Sequence, residues 1–283
     1  MQVANTKEHI TNIILDLRKT NTSIGFVPTM GALHEGHLSL INKALKENEV
    51  VFVSIFVNPT QFENKKDLKN YPRTLNRDIE LLKTVSKTRI FVYAPSVEDI
   101  YIKNVRSIKF NFDGLENKME GEFRDGHFNG VGTIVKRLFE IITPDKAYFG
   151  EKDFQQLQII RKLVEKNNLP VKVIGCKIHR EPSGLAMSSR NERLLPEHKA
   201  ASPFIYKTLE AAKKKFGIKS ATKITAWVKK QFENNELLVL EYFIIADTDT
   251  LKPVKRKSHL KKYRAFIAVY AGEIRLIDNI ALN

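Results

Sequence analysis

A glycine-bearing stretch at residues 25–40, GFVPTMGALHEGHLSL, constrains the fold more than any other segment. Its apolar run ends at Pro28 and predicts a buried strand, and the apolar residues after the second histidine recur at helical spacing. Gly31 allows a tight turn between strand and helix, and Gly36 allows a ligand to approach the backbone closely. The stretch therefore predicts a strand–turn–helix unit of an α/β fold.

Two histidines, His34 and His37, fall at or just before the start of this helix and can lie on the same side of it. Backbone N–H groups at a helix N-terminus attract anions, so two imidazoles beside them indicate phosphate binding. A zinc site is disfavoured, because the zinc-protease motif needs two histidines four residues apart. The other alternative is that both are surface residues or hydrogen-bonded core residues.

Further apolar runs predict the rest of a parallel sheet. The run VVFVSIFV, within residues 49–57, is nearly continuous, as in a central strand covered on both faces. Other strands are predicted at 89–94, 107–112, 145–149 and 171–176. After Leu195, two helical segments precede three strands, which suggests a separate α+β domain. We therefore predict a Rossmann-like, doubly wound parallel sheet in residues 1–178 and a smaller C-terminal α+β domain in residues 179–283.

Composition narrows the classes of partner. The only cysteine is Cys176, no apolar run approaches the ~20 residues of a membrane span, and the N-terminus lacks the order of a secretory signal. We therefore expect a cytoplasmic protein with no membrane partner. The net charge of +15 suits nucleic acid or anionic small molecules. We interpret the basic run at 252–262 as a solvated loop, because aromatic residues do not interleave with its charges, and expect no nucleic-acid partner.

Polar residues follow several of the predicted strands, where ligands of open α/β sheets bind. Gln61 is placed to recognise a hydroxyl or a carboxylate. Lys152 can pair with phosphate, Asp153 can accept from ribose hydroxyls, and Gln156 can point the same way one turn later. The group at 187–190, Met-Ser-Ser-Arg, offers two hydroxyls and a guanidinium suited to phosphate oxygens. Taken singly, these segments are also compatible with charged turns or a serine-rich linker.

The string PTMGALHEGHL, followed in order by YPRT, GHFNGV, GEKD and MSSRN, resembles the pantothenate synthetase family. These are ATP-dependent pantoate–β-alanine ligases of the nucleotidyltransferase superfamily, whose signature is His-x-Gly-His. The resemblance covers most of the chain and is most specific from Pro28 to Asn191. It implies that pantoate is activated by ATP as pantoyl adenylate, and that β-alanine then displaces AMP. It further implies Mg²⁺ on the phosphates and a homodimer.

The resemblance also implies residue roles. His34, His37, Lys152 and Arg190 are expected to be catalytic, with His37 the candidate proton donor. Gln61 and Gln156 are expected to bind pantoate, no protein metal ligand is assigned, and YPRT receives no direct role. The residues expected to contact the nucleotide are Met30, Gly31, Ala32, Leu33, His34, Glu35, Gly36, His37, Gly150, Glu151, Lys152, Asp153, His179 (through its backbone), Met187, Ser188, Ser189 and Arg190. Two alternatives stay open, another adenylating enzyme or nucleotidyltransferase of the superfamily and an RNA-binding relative.

Overall fold

The computed structural model describes residues 1–62, 65–101, 104–254 and 256–283. The chain divides into two compact units, which we describe separately. The first comprises Met1–Glu151 and Gln155–Lys177, and the second comprises Lys152–Phe154 and Ile178–Asn283. The segment Lys152–Phe154 thus clusters with the second unit, although its chain neighbours on both sides belong to the first.

The first unit is built on a parallel sheet. Its strands are β1 (Gln2–Ala4), β2 (Ile24–Thr29), β3 (Val50–Ile55), β4 (Ile90–Tyr93), β5 (Lys146–Gly150) and β6 (Lys172–Cys176). Their order is β1-β4-β3-β2-β5-β6, and all neighbouring pairs run parallel. From β2 the chain winds outward through β3 and β4 and then returns to place β5 on the other side of β2. This doubly wound order confirms the predicted fold class and puts its switch point between β2 and β5.

Helices connect the strands of the first unit. They are α1 (Lys7–Lys19), α2 (Glu35–Glu47), α3 (Lys65–Asn70), α4 (Leu75–Val85), α5 (Val97–Tyr101), α6 (Glu120–Phe123), α7 (His127–Ile142) and α8 (Phe154–Lys166). Phe26 on β2, Phe52 on β3 and Tyr148 on β5 are fully buried. Strands whose consecutive residues are apolar and buried must be covered on both faces, which is why these runs lack the alternation of a half-exposed strand.

The strand predicted at 107–112 is not a sheet strand, so that prediction is wrong. Alternate backbone amides of this segment donate to side chains instead of to a neighbouring strand. The amide of Ile108 donates to Thr133 Oγ1 (2.7 Å), that of Phe110 to Asn129 Oδ1 (3.0 Å) and that of Phe112 to Glu116 Oε1 (3.1 Å). The period of two in the sequence is therefore real, but side chains, mainly of α7, take the place of a strand partner.

The second unit has an antiparallel sheet. Its strands are β7 (Val239–Asp247), β8 (Tyr263–Ala271) and β9 (Ile274–Ala281), in that order, and its helices are α9 (Pro196–Ala201), α10 (Pro203–Phe216) and α11 (Ala221–Phe232). The first of the two helical segments predicted after Leu195 is split at Ser202 into α9 and α10, because Pro203 starts a new helix at its first position. Ile224, Val228 and Ile267 are fully buried in the core of this unit. No helix within the described ranges has both the length and the apolar character needed to cross a bilayer.

Candidate active site

The turn between β2 and α2 has an unusual backbone. Gly31 and Ala32 both have positive φ angles, +82° and +50°. Glycine adopts this conformation without cost, whereas an alanine there is strained and must be held in place. Thr29 contributes, because its Oγ1 accepts the Gly31 amide (3.2 Å) and donates to the carbonyl of Ser54 on β3 (2.7 Å).

A buried carboxylate holds the next part of this turn. The amides of Ala32 and Leu33 donate to the two oxygens of Asp78 on α4, at 3.0 and 2.8 Å. Asp78 is fully buried, and no signal in the sequence singled it out. These two amides are therefore engaged by the protein itself, although both residues remain in the set predicted to contact nucleotide.

His34 and His37 together cap the start of α2. His34 is the N-cap, and its Nδ1 accepts the Gly36 amide at 3.1 Å. In return, the Nδ1 of His37 accepts the His34 amide at 3.3 Å, and the two rings lie 4.1 Å apart between centroids. Because each Nδ1 accepts a backbone N–H, the proton of each neutral ring lies on Nε2. The pair thus presents two Nε2–H donors at the N-terminal end of a helix, where negative charge is favoured.

Gln61 lies beyond the carboxyl end of β3, in the short 3₁₀ turn Pro59–Gln61. Its Oε1 accepts from Asn58 Nδ2 at 3.1 Å, and its Nε2 donates to the Sδ of Met30 at 3.0 Å. This contact brings together two of the predicted site residues, which follow neighbouring strands. A thioether is a weak acceptor, so the Nε2 of Gln61 can exchange this bond for one to a stronger hydrogen-bond acceptor.

The N-terminus of α7 supports this turn at close range. A Cβ added to Gly130 would meet the carbonyl oxygen of Thr60 at 2.3 Å and the Cα of Gln61 at 2.7 Å. The buried His127 lies beside it, with Nδ1 2.9 Å from the Gln61 carbonyl oxygen. Only glycine permits this approach, which explains the presence of one glycine of the GHFNGV segment.

Two adjacent glutamines on α8 have different environments. Gln155 is buried and fixes the loop before α6, since it accepts the Glu120 amide at 3.0 Å and donates to the carbonyls of Leu115 and Lys118. Gln156 is half-buried, and its amide group bonds to no other residue that the structure describes. A polar group in this position is suited to a ligand.

The remaining first-unit residues of the predicted set follow β5. Gly150 ends the strand, and Glu151 begins a 3₁₀ turn. Since β5 is the neighbour of β2, Gly150 lies at the same sheet edge as the histidine turn. The first unit therefore gathers Met30, Gly31, Ala32, Leu33, His34, Glu35, Gly36, His37, Gly150, Glu151 and Gln61 at the carboxyl edge of β2, β3 and β5.

Lys152 and Asp153 belong to the second unit. The Lys152 ammonium lies 3.6 Å from the Asp153 carboxylate. The carbonyl of Lys152 accepts from Asn279 Nδ2 on β9 at 2.8 Å, and Phe154 lies under the guanidinium of Arg264 on β8. Two strands of the second unit thus fix this segment, and nothing in the sequence near residue 152 indicated that.

The predicted phosphate loop also lies in the second unit. Ser188 caps the 3₁₀ helix Ser189–Arg193, with its Oγ accepting the Arg190 amide at 3.3 Å. The Met187 amide donates to the carbonyl of His179 at 3.1 Å, which closes the base of the loop, while the His179 side chain is exposed. The structure therefore brings Met187, Ser188, Ser189, Arg190 and the His179 backbone into one local group.

An ion pair anchors this loop. Arg180 makes two hydrogen bonds with Asp278 on β9, at 2.6 and 2.9 Å, and stacks on the ring of Tyr206 at 3.6 Å. Burial raises the pKa of Asp278, and the Arg180 guanidinium acts against that rise. The same guanidinium donates to the Gly184 carbonyl at 3.1 Å, so the pair holds the hairpin that leads into the phosphate loop.

The chain matches a family model described as Pantoate-beta-alanine ligase over residues 2–281. A relative from Christiangramia forsetii, named pantothenate synthetase, is 59% identical over 283 residues, 100% of each chain. The crystal structure of a pantothenate synthetase from Thermus thermophilus has a TM-score of 0.91 at 36% identity, covering 100% of this chain and 99% of that one. A Francisella tularensis pantoate-beta-alanine ligase complexed with beta-gamma ATP and beta-alanine has a TM-score of 0.81 at 36% identity, covering 100% and 98%.

Proposed function

Since the chain belongs to the pantoate–β-alanine ligase family and is a ligase of that kind, we propose that it condenses (R)-pantoate with β-alanine through a pantoyl adenylate, releasing AMP and pyrophosphate. The observation that carries this proposal is the close pair of His34 and His37 rings at the switch point of the sheet. Both rings are fixed with their protons on Nε2 by bonds to the backbone. This geometry suits an anionic phosphate and supplies no nucleophile.

In the first step, a carboxylate oxygen of pantoate attacks the α-phosphorus of ATP. The new P–O bond forms as the bond to pyrophosphate breaks, and negative charge grows on the phosphate oxygens. Fixed N–H donors stabilise such charge without reorganising, which is the main means by which a protein accelerates this transfer. His34 and His37 perform this role, and His37 is the candidate proton donor.

Pantoate is held by two glutamines. The Nε2 of Gln61, which otherwise donates to the weak acceptor Met30 Sδ, donates to pantoate. Gln156 supplies a second amide. Holding the carboxylate in line with the α-phosphorus converts a two-molecule encounter into an intramolecular step, which lowers the entropic part of the barrier.

The second unit also contains residues that we assign to ATP. We assign Lys152, Ser188, Ser189 and Arg190 to the transferring and leaving phosphates, because ammonium, hydroxyl and guanidinium groups all donate to phosphate oxygens. Gly150 and Asp153 are assigned to the ribose, and the His179 backbone to adenine. In this proposal residues 1–178 bind nucleotide and pantoate, and residues 179–283 form a lid.

In the second step, the amine of β-alanine attacks the acyl carbon of the adenylate. The C–N bond forms, the acyl–oxygen bond to AMP breaks, and the amine loses a proton. The ligands of the Francisella relative, beta-gamma ATP and beta-alanine, support both molecules as substrates here. No covalent enzyme intermediate is required in either step.

Mg²⁺ is part of the proposal as a partner of the nucleotide. Within the ranges described, no group of three or more His, Cys, Asp or Glu side chains is arranged to hold a metal ion. Mg²⁺ would be held mainly by phosphate oxygens and water, as it is on nucleotides, and would neutralise charge on the leaving pyrophosphate. We also propose a homodimer, to be tested by light scattering, that acts in the cytoplasm, where ATP is available.

Exchange of labelled pyrophosphate into ATP tests the proposal. With pantoate present and β-alanine absent, the enzyme is expected to catalyse exchange, because adenylate formation is reversible until the amine arrives. Exchange that is supported equally by other hydroxy acids would favour a different adenylating enzyme of the superfamily. Absence of exchange with pantoate, in an enzyme that nevertheless makes pantothenate, would contradict the adenylate.

A further inference from the structure

Asp78 is a fully buried carboxylate with hydrogen-bond donors from two places in the chain. Its two oxygens accept the amides of Ala32 and Leu33, and Oδ1 also accepts the hydroxyl of Thr74 at 3.2 Å. A buried carboxylate is costly unless such bonds compensate it, so its position is tightly determined. None of the substrate roles assigned above uses this residue.

The amides that donate to Asp78 belong to the strained part of the β2–α2 turn. Ala32 has a φ of +50°, a conformation that a residue with a side chain adopts only where its surroundings hold it. Gly31 lies against the same carboxylate, since an added Cβ would be 3.1 Å from Asp78 Oδ2. Asp78 therefore stabilises a backbone path that the turn sequence would not maintain alone.

This backbone path leads directly to the histidine pair. Leu33, whose amide bonds to Asp78, precedes His34, and the His34 amide is the donor that orients His37. A displacement at Leu33 is thus transmitted over one peptide unit to both imidazoles. The bonds of Ala32 and Leu33 to Asp78 and the bonds between the two imidazoles and the backbone therefore form one continuous network.

The YPRT segment, which had no assigned role, also bonds to Asp78. Thr74 bonds to Asp78, and Arg73 donates to the carbonyl of Tyr71 at 3.1 Å. The buried Tyr71 packs edge-on against Phe62, the residue after Gln61, at 5.7 Å between centroids. Three residues of this segment, Tyr71, Arg73 and Thr74, therefore support the two turns that carry the histidines and Gln61.

We propose that Asp78, supported by Thr74, is a positioning residue for adenylate formation, which it serves by fixing the backbone that orients His34 and His37. This inference rests on the proposed function and adds to it a residue that contacts no substrate. Its effect falls on the rate of the first chemical step, because misplacing donors by a fraction of an ångström weakens transition-state stabilisation more than ground-state binding.

The test compares Asp78→Asn with Asp99→Asn. Asp99 is a matched carboxylate of the first unit that accepts the Tyr93 hydroxyl (2.7 Å) and the Lys7 amide (3.0 Å). Both variants are expected to lower the urea midpoint. Only Asp78→Asn is expected to lower the maximal rate of pantoate-dependent pyrophosphate exchange, by about 100-fold, with little change in KM for β-alanine. Equal exchange rates in the two variants would overturn the proposal.

A milder variant and a spectroscopic measurement cover the case in which Asp78→Asn does not fold. Thr74→Val removes one bond to the carboxylate and is expected to slow exchange by about tenfold, the equivalent of one hydrogen bond. In ¹⁵N spectra, His34 and His37 should be Nε2–H tautomers in the unmodified enzyme and mixed tautomers in Thr74→Val. Unchanged tautomers and an unchanged rate in that variant would exclude the positioning role. Absence of exchange in the unmodified enzyme would instead contradict the proposed function.

Discussion

At the scale of single residues, His34 combines two tasks that can be separated. It caps α2 through Nδ1, with the extended backbone (φ −147°, ψ 174°) that an N-cap residue needs. Because Nδ1 accepts the Gly36 amide, the same ring also carries an Nε2–H donor. Serine, threonine, aspartate and asparagine perform the first task in most helices, so the choice of histidine indicates that the second task is required.

The variant His34→Asn is therefore expected to keep the fold and lose activity. Asparagine is among the best N-cap residues, so the free energy of unfolding should change by less than about 0.5 kcal/mol. Pyrophosphate exchange should fall by about 100-fold, the usual cost of removing one oriented donor. The control is Thr6→Ala, which removes the Thr6 cap of α1 and should cost about 1 kcal/mol of stability with no change in exchange. Wild-type exchange in His34→Asn would refute this role.

The sequence predicted the histidine pair but not what holds it. Spacing and the neighbouring glycines placed His34 and His37 at a helix start, a position that favours anions. The reciprocal cap was not predictable, because it depends on which ring nitrogen turns inward. Asp78 was not predictable either, since it contacts the turn from more than 40 residues away in sequence and its segment carries no local signal.

At the scale of secondary-structure elements, the approach of α7 to the Pro59–Gln61 turn decides where Gln61 lies. The contact at Gly130 is with backbone atoms, which cannot move aside as the end of a flexible side chain can. The bond from Asn58 Nδ2 to the Gly130 carbonyl, at 3.1 Å, joins the two elements further. The position of Gln61, which we propose binds pantoate, is thus set by packing between elements.

Gly130→Ala should disturb both stability and pantoate binding. The added methyl group must push the turn away, which should cost about 1–3 kcal/mol, and KM for pantoate should rise because Gln61 moves. The control is Gly217→Ala at the end of α10, where an added Cβ meets nothing within 4 Å and φ is −62°. That variant should match the wild type in both measurements. An unchanged KM in Gly130→Ala would show that the turn position does not control pantoate binding.

The strand predicted at 107–112 is absent, and the reason shows which information a sequence pattern lacks. Its alternating pattern was read correctly, but periodicity reports which way side chains point and not what the backbone bonds to. Thr133 and Asn129 on α7 supply the acceptors, and their contribution depends on the folded position of that helix. The strands that β-type patterns and flanking turns both supported, such as β3 and β7, are present.

At the scale of the whole molecule, the first unit contains a single thiol that links its stability to pH. Cys176, at the end of β6, is 5% exposed, and burial raises its pKa to about 11. The folded state therefore holds this proton more tightly than the unfolded state, in which a cysteine titrates near 8.5. The stability that the neutral thiol contributes is present below that value and is lost as the pH rises toward 11.

Unfolding by urea, followed by circular dichroism between pH 8 and 11, measures this linkage. The free energy of unfolding of the wild type should fall more steeply over this range than that of Cys176→Ala, which has no thiol to ionise. Subtracting the two curves removes the contributions of lysines and tyrosines, which both proteins share. Parallel curves would mean that the thiol titrates alike in the folded and unfolded states.

The central claim is that the carboxylate of pantoate attacks the α-phosphorus of ATP, and isotope transfer tests it most directly. The enzyme is given pantoate labelled with ¹⁸O in the carboxylate, together with ATP and β-alanine, and the AMP is examined by ³¹P NMR. One labelled oxygen should appear in each AMP phosphate, because the acyl–oxygen bond breaks when the amine attacks. AMP without the label, formed in step with pantothenate, would contradict the account.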